Sequence, residues 1–305
     1  MLHPQVTAAA ALRQRPPAEV LASDPPAQLQ FVRDAMEAAN EAECGPAFPL
    51  PVVADLDADG VSCRLYATGF GLPVVVYVHG GGWTYGSVET FDRLCRRIAH
   101  RSGCAVVSVG YRLAPEHPFP AALEDVEAVL AYIRKEGLDL GLDPARIAIA
   151  GDSAGGQIAT VVARRQRDAA TPLDHQVLIY PALDPLCASE SYAELGSYGL
   201  DRASMQLAWS AYVQDQALRF TPDVAPLATP DLTGMPPTLI ITAEYDVLRD
   251  EAADYADALA VAGVPVVHTR YAQMNHGFAR KLAVIDAARA AADQIAAVLR
   301  SALTF

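Results

Sequence analysis

Ser153 stands between glycines in Gly151-Asp152-Ser153-Ala154-Gly155-Gly156, the spacing G-x-S-x-G, directly after the apolar run 147–150. A strand that turns sharply into a helix at such a serine needs almost no side chain two positions to either side, and glycine supplies that room. The turn holds the hydroxyl clear of the sheet, with the first N–H groups of the helix aimed at the same point, where an oxyanion would be stabilised. Residues 146–150 read as a short strand and 154–167 as a proline-free helix. Strand, turn and helix therefore come in the order a nucleophile requires.

A serine hydroxyl is a weak nucleophile until a base takes its proton. His276, in Met274-Asn275-His276-Gly277-Phe278, is the expected base, because it falls in a loop just after the strand read over 264–271. His268 lies inside that strand and reads as structural. His3, His100, His117 and His175 lack suitable neighbours or position in chain order. The imidazole needs a carboxylate to fix its tautomer, and Asp246 in Ala243-Glu244-Tyr245-Asp246-Val247-Leu248 follows the strand read over 238–242. Asp246 is also read as a helix N-cap. Glu244 is the second choice for the acid, and Asp250 falls on the following helix.

His79-Gly80-Gly81-Gly82-Trp83 follows the apolar run 73–78, and three successive glycines expose N–H groups that can grip an oxygen anion. A phosphate cradle would want a following lysine, which Trp83-Thr84-Tyr85 does not provide. His79, at a strand end, is read as a brace for this loop. Trp83, Tyr85, Tyr180 and Phe278 neighbour these motifs and are expected to line a substrate pocket, with core packing as the alternative for each.

The elements that must position these groups alternate from residue 52 onward. Apolar runs at 61–66, 73–78, 105–109, 147–150, 176–180, 238–242 and 264–271 are separated mostly by helical patterns, such as 120–136 and 287–303. That rhythm predicts an α/β fold, a mostly parallel central sheet flanked by helices. The run Val74-Val75-Val76-Tyr77-Val78 has no alternation, as suits a strand buried on both faces. Residues 1–50, with an amphipathic stretch at 27–42, and residues 185–220 stand outside the rhythm. They are expected to form a helical cap over a catalytic core of 51–184 and 221–305, all within one domain spanning 1–305.

The chain has 305 residues, 52% of them hydrophobic, and a net charge of −13, which argues against nucleic acid as a partner. No apolar run is long enough to insert in a membrane and the first residues lack a signal pattern, so a soluble, cytoplasmic protein is expected. Five cysteines (Cys44, Cys63, Cys95, Cys104, Cys187) without C-x-x-C spacing read as free buried thiols, and no metal site or cofactor is implied.

Taken together, His79 to Trp83, Tyr111-Arg112-Leu113-Ala114-Pro115-Glu116, Gly151 to Gly156, Glu244 to Asp250 and His276-Gly277-Phe278 resemble the hormone-sensitive-lipase-like family of α/β-hydrolase esterases. The resemblance covers about two thirds of the chain. It implies an α/β-hydrolase fold, a Ser153-His276-Asp246 triad, oxyanion-hole N–H groups from Gly81, Gly82 and Ala154, and short- to medium-chain acyl esters as substrates. Many members carry proline after the catalytic aspartate, where this chain has Val247. Relatives also form homodimers through the last strand's edge, for which Val264-Pro265-Val266-Val267-His268 is apolar enough. The same scaffold resembles plant gibberellin receptors, in which the catalytic histidine is lost, so a non-catalytic ligand-binding protein is the alternative. Hydrolysis of lactones or amides is a further one.

Overall fold

The computed structural model describes residues 1–12 and 16–304; residues 13–15, which fall within the expected cap, lie outside the described residues. In chain order the elements are helices α1 (Pro4–Ala10), α2 (Ala18–Leu21), α3 (Pro25–Ala38) and α4 (Asn40–Cys44), then strands β1 (Val52–Ala58), β2 (Val61–Ala67) and β3 (Leu72–Val78). Helix α5 (Val88–Ser102), β4 (Ala105–Val109), α6 (Ala121–Glu136), β5 (Leu142–Asp152), α7 (Ala154–Asp168) and β6 (His175–Ile179) follow. Then come α8 (Glu190–Glu194), α9 (Arg202–Tyr212), β7 (Thr238–Tyr245), α10 (Arg249–Val261), β8 (Val266–Asn275) and α11 (Asp286–Leu303).

The eight strands form one sheet in the order β1-β2-β4-β3-β5-β6-β7-β8. β2 pairs antiparallel with both neighbours, and every pairing from β4 across to β8 is parallel. Period-two geometry explains the unbroken apolar strands. Val74, Val76 and Val78 of β3 pack with Leu123, Val126 and Ile158 of α6 and α7. Val75 and Tyr77 face the other way, onto Phe91, Leu94 and Ile295 of α5 and α11.

The structure departs from the sequence reading in places that have physical causes. β1 went unread because it is an outer strand whose Asp55 and Asp57 break the apolar signal. β8 runs on to Asn275, so His276 follows the strand directly instead of after a gap. The amphipathic stretch read over 27–42 begins earlier and divides in two: Asp24 caps α3 by accepting from the Ala27 N–H at 2.9 Å, with Pro25 at the first helical position. Val6 and Ala9 of helix α1 are buried among the apolar residues on the α5 and α11 side of the sheet, while the N–H of His3, just ahead of the helix, donates to Gln273 O near the end of β8 at 3.0 Å. All five cysteines are free and buried. No helix among the described residues is long and apolar enough to cross a membrane.

Candidate active site

The carboxyl ends of β3, β5, β7 and β8 bring the sequence motifs to one place. Between β5 and α7, Ser153 takes φ 54° and ψ −120°, a left-handed conformation that a side chain adopts only when its surroundings impose it. Its own N–H donates to Ile179 O at 2.8 Å, pinning the turn to β6. A Cβ on Gly155 would collide with the carbonyl oxygens of Val78 and His79, and one on Gly151 with the Gly155 carbonyl. The spacing G-x-S-x-G is thus the imprint of strand and helix backbones in contact.

His276 reaches across from the end of β8. Its Nε2 lies 2.9 Å from Ser153 Oγ, and its Nδ1 lies 2.7 Å from Asp246 Oδ2. Since the carboxylate can only accept, Nδ1 carries the proton and Nε2 is left to accept from the serine hydroxyl. Asp246 is 2% exposed. Its other oxygen, Oδ1, accepts the Leu248 N–H at 3.0 Å, which closes the turn that proline would otherwise stiffen. Asp246 therefore stands two residues ahead of the N-cap position of α10, occupied by Leu248, and is not itself the cap. Glu244 accepts instead from the Gln273 N–H at 2.7 Å, and Asp250 from the Ser191 N–H at 2.8 Å. His268 is held in β8, its Nε2 3.0 Å from Thr242 Oγ1.

The glycine loop lies beside this relay. Gly81 has φ 131°, and its carbonyl accepts from the N–H groups of Thr84 and Tyr85, both at 3.0 Å. A Cβ there would strike the Tyr85 carbonyl. This leaves the Gly81 and Gly82 N–H groups outside the turn's own hydrogen bonds, as the N–H of Ala154 is at the first position of α7.

Three buried groups brace the loop, and of these only His79 was read in that role from the sequence. Asp152 Oδ1 accepts from the Gly80 N–H at 2.8 Å and from the Tyr77 hydroxyl at 3.0 Å. Burial pushes the Asp152 carboxyl up to about 6, against those two donors. Tyr111 donates its hydroxyl to His79 O at 2.8 Å and stacks on the His79 ring at 4.3 Å. His79 donates Nδ1–H to Gly80 O at 2.9 Å, and desolvation lowers its pKa to about 4, so it stays neutral. Asp152 fills a variable position of G-x-S-x-G, so the motif itself gives no hint of its bracing role.

Of the four aromatic residues expected to line a pocket, only Tyr85 is partly exposed, with its ring beside Gly81 and Gly82. Trp83 and Phe278 are a correction: both are buried and fill the core, Trp83 against Trp209 and Tyr212, Phe278 against Tyr271. Tyr180 is equally buried, its ring 4.8 Å from that of His276. Large apolar rings at strand ends are drawn inward by the same burial that forms the sheet's layers. Two open cavities, about 340 Å³ beside His175 and Pro237 and about 220 Å³ beside Cys44 and Arg93, include none of these residues in their linings. The site is identified by its hydrogen bonds, not by the size of a hollow.

A consequence for stability arises at His175, 8% exposed at the opposite end of the sheet, where burial lowers the imidazole pKa to about 4. A histidine with a depressed folded-state pKa stabilises the fold fully above its unfolded value of about 6.5, and that contribution is lost as pH falls through about 4. Melting temperatures followed from pH 7 to pH 4 are expected to fall less steeply in His175→Gln than in the native chain, by the equivalent of about 3 kcal/mol. Parallel curves would contradict this.

The fold and this constellation define an α/β hydrolase. The chain belongs to that family: residues 75–280 match the family model described as alpha/beta hydrolase fold. Among curated proteins it is 43% identical over 239 residues to carboxylesterase NlhH of Mycobacterium tuberculosis, covering 76% of this chain and 74% of that one. It is 36% identical over 218 residues to ethyl acetate hydrolase of Pseudomonas putida, covering 70% and 68%. Among solved structures, an esterase of Pyrobaculum calidifontis superposes with a TM-score of 0.88 at 37% identity, covering 99% of both chains. The resemblance to hormone-sensitive-lipase-like esterases read from the motifs falls within this family.

Proposed function

We propose that the chain is a serine carboxylesterase that hydrolyses esters of short to medium acyl chains through a Ser153-His276-Asp246 triad. The continuous relay from Asp246 Oδ2 through both imidazole nitrogens to Ser153 Oγ carries this reading. Ser153 Oγ attacks the ester carbonyl while His276 Nε2 takes its proton, and the resulting oxyanion is held by the N–H groups of Gly81, Gly82 and Ala154. The tetrahedral species collapses, breaking the C–O bond; His276 returns the proton to the departing alcohol. Water then attacks the acyl-enzyme with His276 again as base, and the carboxylic acid leaves.

Helices α3 and α9 act as the cap. Arg33 of α3 donates to Thr84 O at 2.9 Å and pairs with Glu116 at 2.8 Å, and Ala208 of α9 lies over Gly82. The short-chain preference is supported by the names of the relatives, ethyl acetate hydrolase among them. The exposed outer strand β8, with Val267 half exposed, is where two copies would pair. A non-catalytic role finds no support in a site that keeps its histidine.

Hydrolysis of p-nitrophenyl esters from acetate to palmitate tests the substrate class. kcat/KM is expected to be greatest between the acetyl and octanoyl esters and to fall steeply for palmitate. A maximum at palmitate would overturn the acyl preference, and no hydrolysis of any ester by folded protein would overturn the esterase reading.

A further inference from the structure

Trp83, the residue directly after the three glycines, holds φ 59°, a left-handed conformation uncommon for a bulky side chain. Such strain persists only where the surroundings over-determine it. Here the cause is visible. The Trp83 side chain is 1% exposed and its indole Nε1–H donates to Gln157 Oε1 at 3.1 Å. Gln157 lies on α7, one helical turn beyond Ser153, and is itself completely buried. Its Nε2 donates to Asp223 O at 3.1 Å and to Val224 O at 3.3 Å, which fixes the amide's orientation.

The face of the Trp83 ring is occupied by α9. Tyr212 lies parallel to it at 4.8 Å, with 3° between the planes, and the Trp209 ring is 4.1 Å away. Phe119 meets Tyr212 edge-on, and its N–H donates to Tyr212 O at 2.8 Å. The Trp209 Nε1 and Tyr212 hydroxyl are buried without a hydrogen-bond partner among the described residues, so Trp83 Nε1 is the only one of the three ring donors with an acceptor. One hydrogen bond thus ties the oxyanion loop to the nucleophile's own helix, while the stack ties the same residue to the cap.

We propose that Trp83 and Gln157 are positioning residues that set the distance between the oxyanion N–H groups and Ser153, and that α9 acts on the reaction through them. This rests on the esterase reading above. The loop cannot turn its Gly81 and Gly82 N–H groups away without moving Trp83, and Trp83 cannot move without breaking the Gln157 bond or sliding out of the α9 stack. Because oxyanion donors must meet the position the oxygen takes in the tetrahedral state, a small displacement of the loop costs rate without costing substrate binding.

The test uses Trp83→Phe, which keeps a stacked ring and removes the donor, and Gln157→Met, which keeps the volume and removes the acceptor. With p-nitrophenyl butyrate, each is expected to lower kcat about tenfold to a hundredfold with KM changed by less than about twofold. Affinity for a trifluoromethyl ketone, which forms a tetrahedral adduct with the serine, is expected to weaken in proportion to the loss in kcat/KM. The double variant is expected to be no worse than the poorer single one, since both remove the same bond. Variants that melt at a lower temperature but keep native kcat and native ketone affinity would overturn the proposal, leaving the bond as core packing only. A native chain that neither hydrolyses the ester nor binds the ketone would overturn the esterase reading itself, and that outcome is recognised before any variant is made.

Discussion

Ser153→Ala is expected to lower kcat/KM for p-nitrophenyl butyrate by about 10⁴-fold or more, with the melting temperature little changed. Ser153 Oγ is the atom 2.9 Å from His276 Nε2, and the turn that holds it is fixed by backbone contacts that alanine leaves intact. Ser153 is 7% exposed and its hydroxyl makes no hydrogen bond among the described residues other than that to His276, so its removal vacates little and unpairs only an imidazole nitrogen. Residual hydrolysis would come from the oxyanion donors alone. A variant that kept a tenth of native activity would show the acyl group to travel by another route.

Asp246→Asn is expected to lower kcat by about 10⁴-fold while leaving KM within a few-fold. An amide in that place can still accept the Leu248 N–H, so the turn survives. Toward His276, however, the amide NH₂ donates to Nδ1 and puts the ring proton on Nε2, where it faces Ser153 and blocks proton abstraction. The variant has the right shape and the wrong tautomer. Steady-state kinetics of the folded variant check this. A loss smaller than about tenfold would move the orienting role elsewhere, although Glu244 is already engaged by the Gln273 N–H.

These two predictions concern residues that were legible in sequence, for a physical reason. Ser153 and Gly81 sit where backbones touch or turn left-handed, and only particular residue types satisfy such places, so the constraint is written into neighbouring positions. Asp246 and His276 were found by chain order and by lying just after apolar runs. The inner strands β3, β4, β6 and β7 were legible because strands buried on both faces leave continuous apolar runs. β1, an outer strand with aspartates, leaves none.

What stayed hidden depends on partners far apart in the chain. Arg280, four residues after His276, is buried and pairs with Glu43, while also donating to Asn40 Oδ1 at 3.0 Å and to Thr90 O at 3.3 Å. These bonds fasten the turn behind His276 to α4 and α5. A lone arginine gives no local hint that its acceptors lie 240 and 190 positions earlier. Similarly, Trp83 read as a pocket residue because it adjoins the glycines. Nothing nearby reveals that Gln157 and α9 draw its ring into the core. Val247, the departure from the family's proline, is completely buried, and its carbonyl accepts the Ser191 hydroxyl at 2.5 Å, so the turn at Asp246 is held by tertiary contacts instead of a ring.

The central claim is that the ester's acyl group passes through a covalent bond to Ser153. Its most direct test is mass analysis of protein quenched with acid during turnover of p-nitrophenyl butyrate. One butyryl group is expected on the peptide that contains Ser153, appearing with the first burst of nitrophenol and vanishing as substrate is exhausted. Steady turnover with no acyl group at Ser153, or with the label on a different side chain, would contradict the account.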